Sequence, residues 1–224
     1  LPLYLFAIRR IVAGRQAVLL ALAYPAAFVN LIHGQNGFLT AGLAGLALVS
    51  LQRRPLLAGA LFGLLAFKPQ FGILIPFALA AGGQWRAFAA AAATVIATAA
   101  MARGLYGVEI CPVFLESATF TREQLIEQGA ASFHRSVSSF AALRLFGAPL
   151  GLAYGVQAAA ALAALAIVIW AWRGSGPQAI KSALLVACTL LATPYGWDYD
   201  LMLMVLPIAW LAAAGLDRGF LPWE

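Results

Sequence analysis

Residues 33–86 read HGQNGFLTAGLAGLALVSLQRRPLLAGALFGLLAFKPQFGILIPFALAAGGQWR. Three apolar runs, 38–51, 55–67 and 71–82, are set off by Arg53-Arg54, by Lys68-Pro69-Gln70 and by Arg86. Each holds only 12–14 residues, which as helix rises roughly 18–21 Å. A bilayer core is about 30 Å thick and needs about 20 residues. Arms this short, starting from arginines on one surface, stop below the other. The turns between them then lie inside the bilayer, where irregular backbone survives only if it is buried in protein or faces a watered cavity. The stretch therefore predicts a helical membrane protein with a polar cavity sunk into one leaflet. The plainer alternative is that flanking polar residues are absorbed into longer helices.

The pattern extends in both directions. Residues 1–8 read as the tail of an earlier span, so the chain is taken as a fragment of a longer protein. Further apolar runs cover 17–32, 87–103, 151–172, 182–193 and 201–214. With Arg9, Arg10, Arg15, Arg53, Arg54, Arg86, Arg173, Lys181 and Arg218 in the cytoplasm, the parity of crossings closes and the remaining five cations lie outside. This is the positive-inside bias. Six of the eight acids, Glu109, Glu116, Glu123, Glu127, Asp198 and Asp200, fall outside. Acids contribute little to that bias, so function is a candidate cause. Pro25, Pro69, Pro76, Pro194 and Pro207 sit in or beside spans and predict broken helices. Residues 1–224 read as one transmembrane domain. Residues 104–150 form an extracytoplasmic loop, in which Thr121-Arg122-Glu123-Gln124 resembles the capped start of an amphipathic surface helix.

Composition agrees. Hydrophobic residues make up 63% of 224 positions and charged ones 10%, against about 25% in soluble domains. The net charge of +6 comes from clusters at the ends of apolar runs, an orientation signal and not a nucleic-acid face. Cys111 and Cys188 make no disulfide framework. No zinc spacing, phosphate-binding Gly-rich loop, nucleophile elbow or dinucleotide fingerprint is present, and no metal or cofactor is expected.

Four polar clusters share the extracytoplasmic side. In His33-Gly34-Gln35-Asn36-Gly37 the amides of Gln35 and Asn36 offer both donors and acceptors, as sugar hydroxyls require. A capped polar turn would have the same composition. Lys68-Pro69-Gln70 places an ammonium between two apolar arms, an expensive position that marks function by default. A lipid phosphate is a natural partner for it, and snorkelling to headgroups is the alternative. Histidine as a residue type can serve as a general base at neutral pH, which makes His134 the candidate base, with Arg135 beside it as a candidate phosphate ligand. A solvated loop histidine is the plain alternative. Tyr195-Gly196-Trp197-Asp198-Tyr199-Asp200 mixes carboxylates for sugar hydroxyls with aromatic faces for sugar rings, although aromatics also anchor ordinary interfaces.

The motifs GQNG at 34–37, FKPQ at 67–70 and TPYGWDYDL at 193–201, in this order, resemble glycosyltransferase family 87 over nearly the whole chain. That group includes mycobacterial polyprenyl-phosphate-mannose-dependent α-1,2-mannosyltransferases. The resemblance implies a GT-C fold in the plasma (inner) membrane. It also implies a polyprenyl-phosphate sugar as donor, a lipid or glycan acceptor, and transfer on the extracytoplasmic face. The polar clusters themselves give the candidate substrate-binding set His33, Gln35, Asn36, Lys68, Gln70, Arg135, Tyr195, Asp198, Tyr199 and Asp200, and the resemblance adds His134 as the catalytic base. GT-C enzymes of this kind carry a further essential acid in their first outer loop, expected upstream of residue 1. Two other readings stand beside the transferase. A lipid or sugar transporter would place its site at the midplane between repeated halves, and no repeat is evident. An inert assembly subunit would tolerate alanine throughout the polar turns.

Overall fold

The computed structural model describes residues 1–129 and 133–219. Among these residues the chain is 81% helical and has no strand, as the apolar periodicity predicts. Helix α1 is Pro2–Ile11, α2 Arg15–Ala23, α3 Pro25–Ile32 and α4 Gly37–Ser50. Helix α5 is Pro55–Leu64, α6 Pro69–Gly72, α7 Ile75–Ala81 and α8 Trp85–Tyr106. Helix α9 is Ile110–Phe120, α10 Ser139–Leu145, α11 Leu150–Arg173, α12 Gln178–Ala192 and α13 Val205–Arg218.

Helices Trp85–Tyr106, Leu150–Arg173 and Asp198–Asp217 are long and apolar enough to cross a membrane, at 22, 24 and 20 residues. α2 and α3 form a fourth candidate, bent by 56° where Pro25 opens α3. Proline there has no amide hydrogen to lose, because the first turn of a helix leaves its donors unpaired anyway. The short arms are real: Gly37–Ser50, Pro55–Phe67, Pro69–Ala81 and Gln178–Ala192 remain at 10–17 residues. The run 71–82 is itself broken into α6 and α7, each opened by a proline.

Two expectations are corrected. The run 201–214 is not a short arm, because a 3₁₀ segment, Asp198–Met204, joins α13 and extends it to 20 residues. Both carboxylates at its start have partners, so the helix can begin on them. Thr121 does not start the surface helix either. Gly107, at φ +86°, ends α8, and α9 begins three residues later at Ile110. It continues through Thr121 into a π-helical turn, Thr121–Glu127. The buried thiol of Cys188 is free, while the side chain of Cys111 lies outside the described ones.

The centre of the bundle is α4, with 11 of its 14 residues buried. A helix apolar on every side needs neighbours on every side, and α1, α5 and the 198–204 segment supply them. Its glycines permit this. A Cβ on Gly42 would meet the Tyr4 amide nitrogen at 2.9 Å. α5 uses Gly59 and Gly63, one turn apart, to bring its backbone onto Ala87, Ala90, Ala91 and Thr94 of α8. Small residues spaced by four are how helices approach closely in lipid, where apolar burial alone drives nothing. On the other flank, buried Gln157 of α11 accepts the Phe140 amide hydrogen of α10 at 3.1 Å and donates to the Leu191 carbonyl at 3.0 Å.

Candidate functional site

The site grows from a residue that the polar clusters did not include. Asn30 stands in the last turn of α3 and is only 1% exposed. Its Nδ2 donates to the carbonyls of Ala26 and Tyr199, both at 2.8 Å, and its Oδ1 accepts the Gly37 amide hydrogen at 2.8 Å. One amide thus fixes the His33–Gly37 turn to the Tyr195–Asp200 segment, 169 residues away in sequence. The signal was a single polar residue in the apolar run Pro25–Ile32. Gly37 is glycine because a Cβ there would collide with the Asn30 side chain. Gly37→Ala is therefore expected to cost about 1–3 kcal/mol, the penalty for leaving a buried polar group without its partner. Thermal unfolding of the purified variant in detergent checks this.

At the next contact Lys68 Nζ donates to Asp200 Oδ1 at 2.6 Å. The Asp200 side chain is 1% exposed and that of Lys68 12%. Asp200 Oδ2 accepts the Trp197 amide hydrogen at 3.1 Å, so both oxygens are engaged. The ammonium lies 5.0 Å from the Tyr199 ring centroid and 5.6 Å from that of Phe71, within range of cation–π attraction. Lys68 has a non-helical backbone, φ −129° and ψ 74°. Pro69 pushes the residue before it out of helical conformation, and the side chain leaves the helix line there.

A cavity of about 390 Å³ opens at this pair. Asn36, Lys68, Gln70, Tyr195 and Tyr199 line it, and Arg122 comes from the π-helical turn across from them. Three of the four polar clusters therefore meet at one hollow. Phe114 and Ile126 give it an apolar side. Arg122 went unrecognised as a site residue because its sequence context read as a helix cap. Its guanidinium is shared with Glu123 at 3.0 Å and Glu127 at 3.6 Å.

A second polar network adjoins the first. Arg135 Nε donates to Asp198 Oδ2 at 3.0 Å and its Nη2 to Asp198 Oδ1 at 3.3 Å. Nη2 also lies 3.2 Å from His33 Nδ1. An arginine has no lone pair to offer, so His33 Nδ1 is the acceptor and its proton sits on Nε2. The hydrogen bond to Asp198 holds the Arg135 pKa above its ordinary value, so the guanidinium stays charged. The backbone beside it is latched as well: the Val137 amide and the Ser136 hydroxyl both donate to the Gly196 carbonyl, at 2.9 and 3.1 Å. His33, Arg135 and Asp198 thus form one cluster. Asp198 directly precedes Tyr199 of the cavity wall.

Two expected residues stand apart. Gln35 is exposed and is not on the cavity wall. His134 is exposed in the short turn Phe133–Arg135 and is likewise not on the wall. Its neighbour Arg135, not the histidine, makes the contacts.

The family model of glycosyltransferase family 87 matches residues 1–194. The match covers most of the chain, which therefore belongs to that family and is a glycosyltransferase, needing a sugar donor and an acceptor. The Tyr195–Asp200 segment lies just past the matched residues. No curated protein and no solved structure gives a match.

Proposed function

We propose that this family 87 glycosyltransferase moves a mannose-like hexose from a polyprenyl-phosphate sugar to a lipid or glycan acceptor, on the extracytoplasmic face of the plasma membrane. The observation that carries this reading is the Lys68 ammonium at a 390 Å³ hollow shared with Asn36, Gln70 and Tyr195. The Lys68 ammonium already has Asp200 as its counter-ion, and its two remaining hydrogens can still donate to a second anion. A glycosyl phosphate offers one at the atom from which the sugar departs. As the glycosidic bond breaks, charge builds on the leaving phosphate. Lys68, fixed by Asp200, is oriented before the reaction to meet that charge, which is how fixed charges contribute most to rate. Arg122 is the second cation within the same hollow. Asn36 and Gln70 have the amides to bind sugar hydroxyls, and Tyr195 and Tyr199 have faces for the ring. Among the described residues no carboxylate lines the cavity, so this reading takes the base that deprotonates the acceptor from elsewhere. His134 is outside this scheme because it stands off the wall.

The direct test supplies membranes containing the protein with labelled polyprenyl-phosphate mannose and follows transfer into lipid and glycan fractions. Transfer from a nucleotide sugar in membranes stripped of lipid-phosphate sugars would overturn the donor assignment. Sidedness has its own expected result. Single cysteines at Asn36, Gln70 and Tyr195, in a background lacking Cys111 and Cys188, should all react with a membrane-impermeant thiol reagent applied to intact cells. Cysteines at Arg53 and Arg86 should react only after permeabilisation. Asp200 is a poor reporter because it is buried beneath Lys68. Mixed sidedness among the three cavity positions would overturn the orientation.

A further inference from the structure

Arg122 joins the cavity wall from a helix that changes its winding beneath it. α9 runs as α-helix to Phe120, and the turn Thr121–Glu127 that follows is π-helical. The Gln128 amide donates to the Glu123 carbonyl, five residues back, at 3.1 Å. In an α-helix, residues five apart point about 140° away from each other. In a π-turn they stand one above the other. Arg122 and Glu127 are such a pair, with Arg122 Nε 3.6 Å from Glu127 Oε1. π-turns are rare and recur at functional sites.

Glu127 is in turn held from two other helices. The Tyr154 hydroxyl of α11 donates to the same Oε1 at 2.8 Å. Arg144 Nη2 of α10 donates to the Glu127 backbone carbonyl at 3.3 Å. The other carboxylate on Arg122, that of Glu123, has no such anchor among the described residues. Its side chain is 48% exposed, against 25% for Glu127. An exposed ion pair between two loose side chains fixes little, because both lose rotamer freedom for a screened attraction. A carboxylate already tied to a hydroxyl asks that loss of the arginine alone. A chain of contacts therefore runs from Tyr154 through Glu127 to Arg122 on the cavity wall. The guanidinium uses Nε and Nη2 for its two carboxylates, and among the described residues nothing engages Nη1.

We propose that Glu127 and Tyr154 are positioning residues of this transferase, which act by setting the guanidinium of Arg122 at the cavity. Neither lines the cavity itself. The inference rests on the reading above that an anionic phosphate group occupies this hollow. Arginine carries much rotamer freedom, and freedom removed before binding is not lost on binding. The π-turn brings Glu127 under Arg122, Tyr154 fixes the carboxylate, and the carboxylate fixes the cation. An α-helical turn of the same sequence would point Glu127 away from Arg122 and leave the arginine to Glu123, which is itself loosely held.

Binding of farnesyl phosphate to the purified protein in detergent tests this without any sugar transfer. Tyr154→Phe removes one hydroxyl and keeps the ring against Phe140, whose centroid is 4.7 Å away. It should weaken binding about 2- to 12-fold, the net worth of one hydrogen bond. Glu127→Gln keeps an acceptor for Tyr154 but loses the charge that draws the guanidinium, and should weaken binding at least as much. Arg122→Ala should weaken it roughly 10- to 150-fold, the range for hydrogen bonds to charged groups. The deciding readout is the double-mutant cycle: once Arg122 is alanine, Tyr154→Phe should cost nothing further. A residue that only braced the loop would weaken binding equally with or without the arginine, and would lower the unfolding midpoint in step. Equal losses in both backgrounds, or unchanged binding in either single variant, would overturn the inference. Lys68→Ala judges the underlying reading separately. If it leaves farnesyl phosphate binding intact, the phosphate does not bind at this hollow and both ideas fall. If it weakens binding while the cycle is additive, the positioning role alone fails.

Discussion

Asp200→Ala is expected to cost about 3–5 kcal/mol of stability, the range seen when one partner of a buried ion pair is removed. The substitution does three things at once. It leaves the Lys68 ammonium, with a side chain only 12% exposed, without its counter-ion at 2.6 Å. It orphans the Trp197 amide hydrogen that Asp200 Oδ2 accepts. It removes a carboxylate from the first turn of the Asp198–Met204 segment, where negative charge suits the helix dipole. Asp200→Asn should fall between, since its amide oxygen can still accept from Trp197 while the charge is gone. Lys68→Met/Asp200→Leu should lose much less than the sum of the single substitutions, because it leaves no buried charge unpaired. The measurement is a double-mutant cycle on unfolding midpoints of purified protein in one detergent. Additive losses across the cycle would mean that the pair is not coupled.

Such a pair shows where reading the sequence succeeds and where it stops. The short arms were legible because arginines and the Lys68-Pro69-Gln70 break set their length, and length alone decides what spans a bilayer. Asn36, Gln70 and Asp200 were expected to line one cavity, since arms of equal direction and length end at one depth; Asn36 and Gln70 are on its wall, and Asp200 lies behind it as the partner of Lys68. What joins them was not legible. Lys68 and Asp200 are 132 residues apart, and no periodicity links them. Asp198 and Asp200 read as loop residues because free carboxylates end apolar helices. Paired with Arg135 and Lys68, they start one instead, and the span came out six residues longer than its apolar run. Arg122 was hidden by a π-helical turn, which has no sequence signature of its own. The two histidines show the limit most plainly. His134 drew notice for its place in the long loop, yet His33 is the one in contact with Arg135 and Asp198, through a tertiary approach across 102 residues.

Lys68→Ala is expected to lower turnover about 10²–10³-fold, the cost of removing one preorganised group that stabilises charge on a leaving oxygen. Lys68→Ala also strands Asp200 in a bundle where an unpaired carboxylate is costly. The remedy is to remove the stranded charge as well. Lys68→Ala/Asp200→Asn should regain much of the lost stability, with the Trp197 amide still satisfied, but none of the lost turnover. Lys68→Arg should keep part of the activity. It preserves the charge, yet a planar guanidinium is not a point charge and will not sit identically between Tyr199 and Phe71. Single-turnover transfer from labelled polyprenyl-phosphate sugar, at saturating donor, separates these cases from simple unfolding. If the double variant recovers both fold and turnover, Lys68 is only the structural partner of Asp200. If it recovers fold alone, the ammonium acts on the donor phosphate, and the buried carboxylate serves to hold it there.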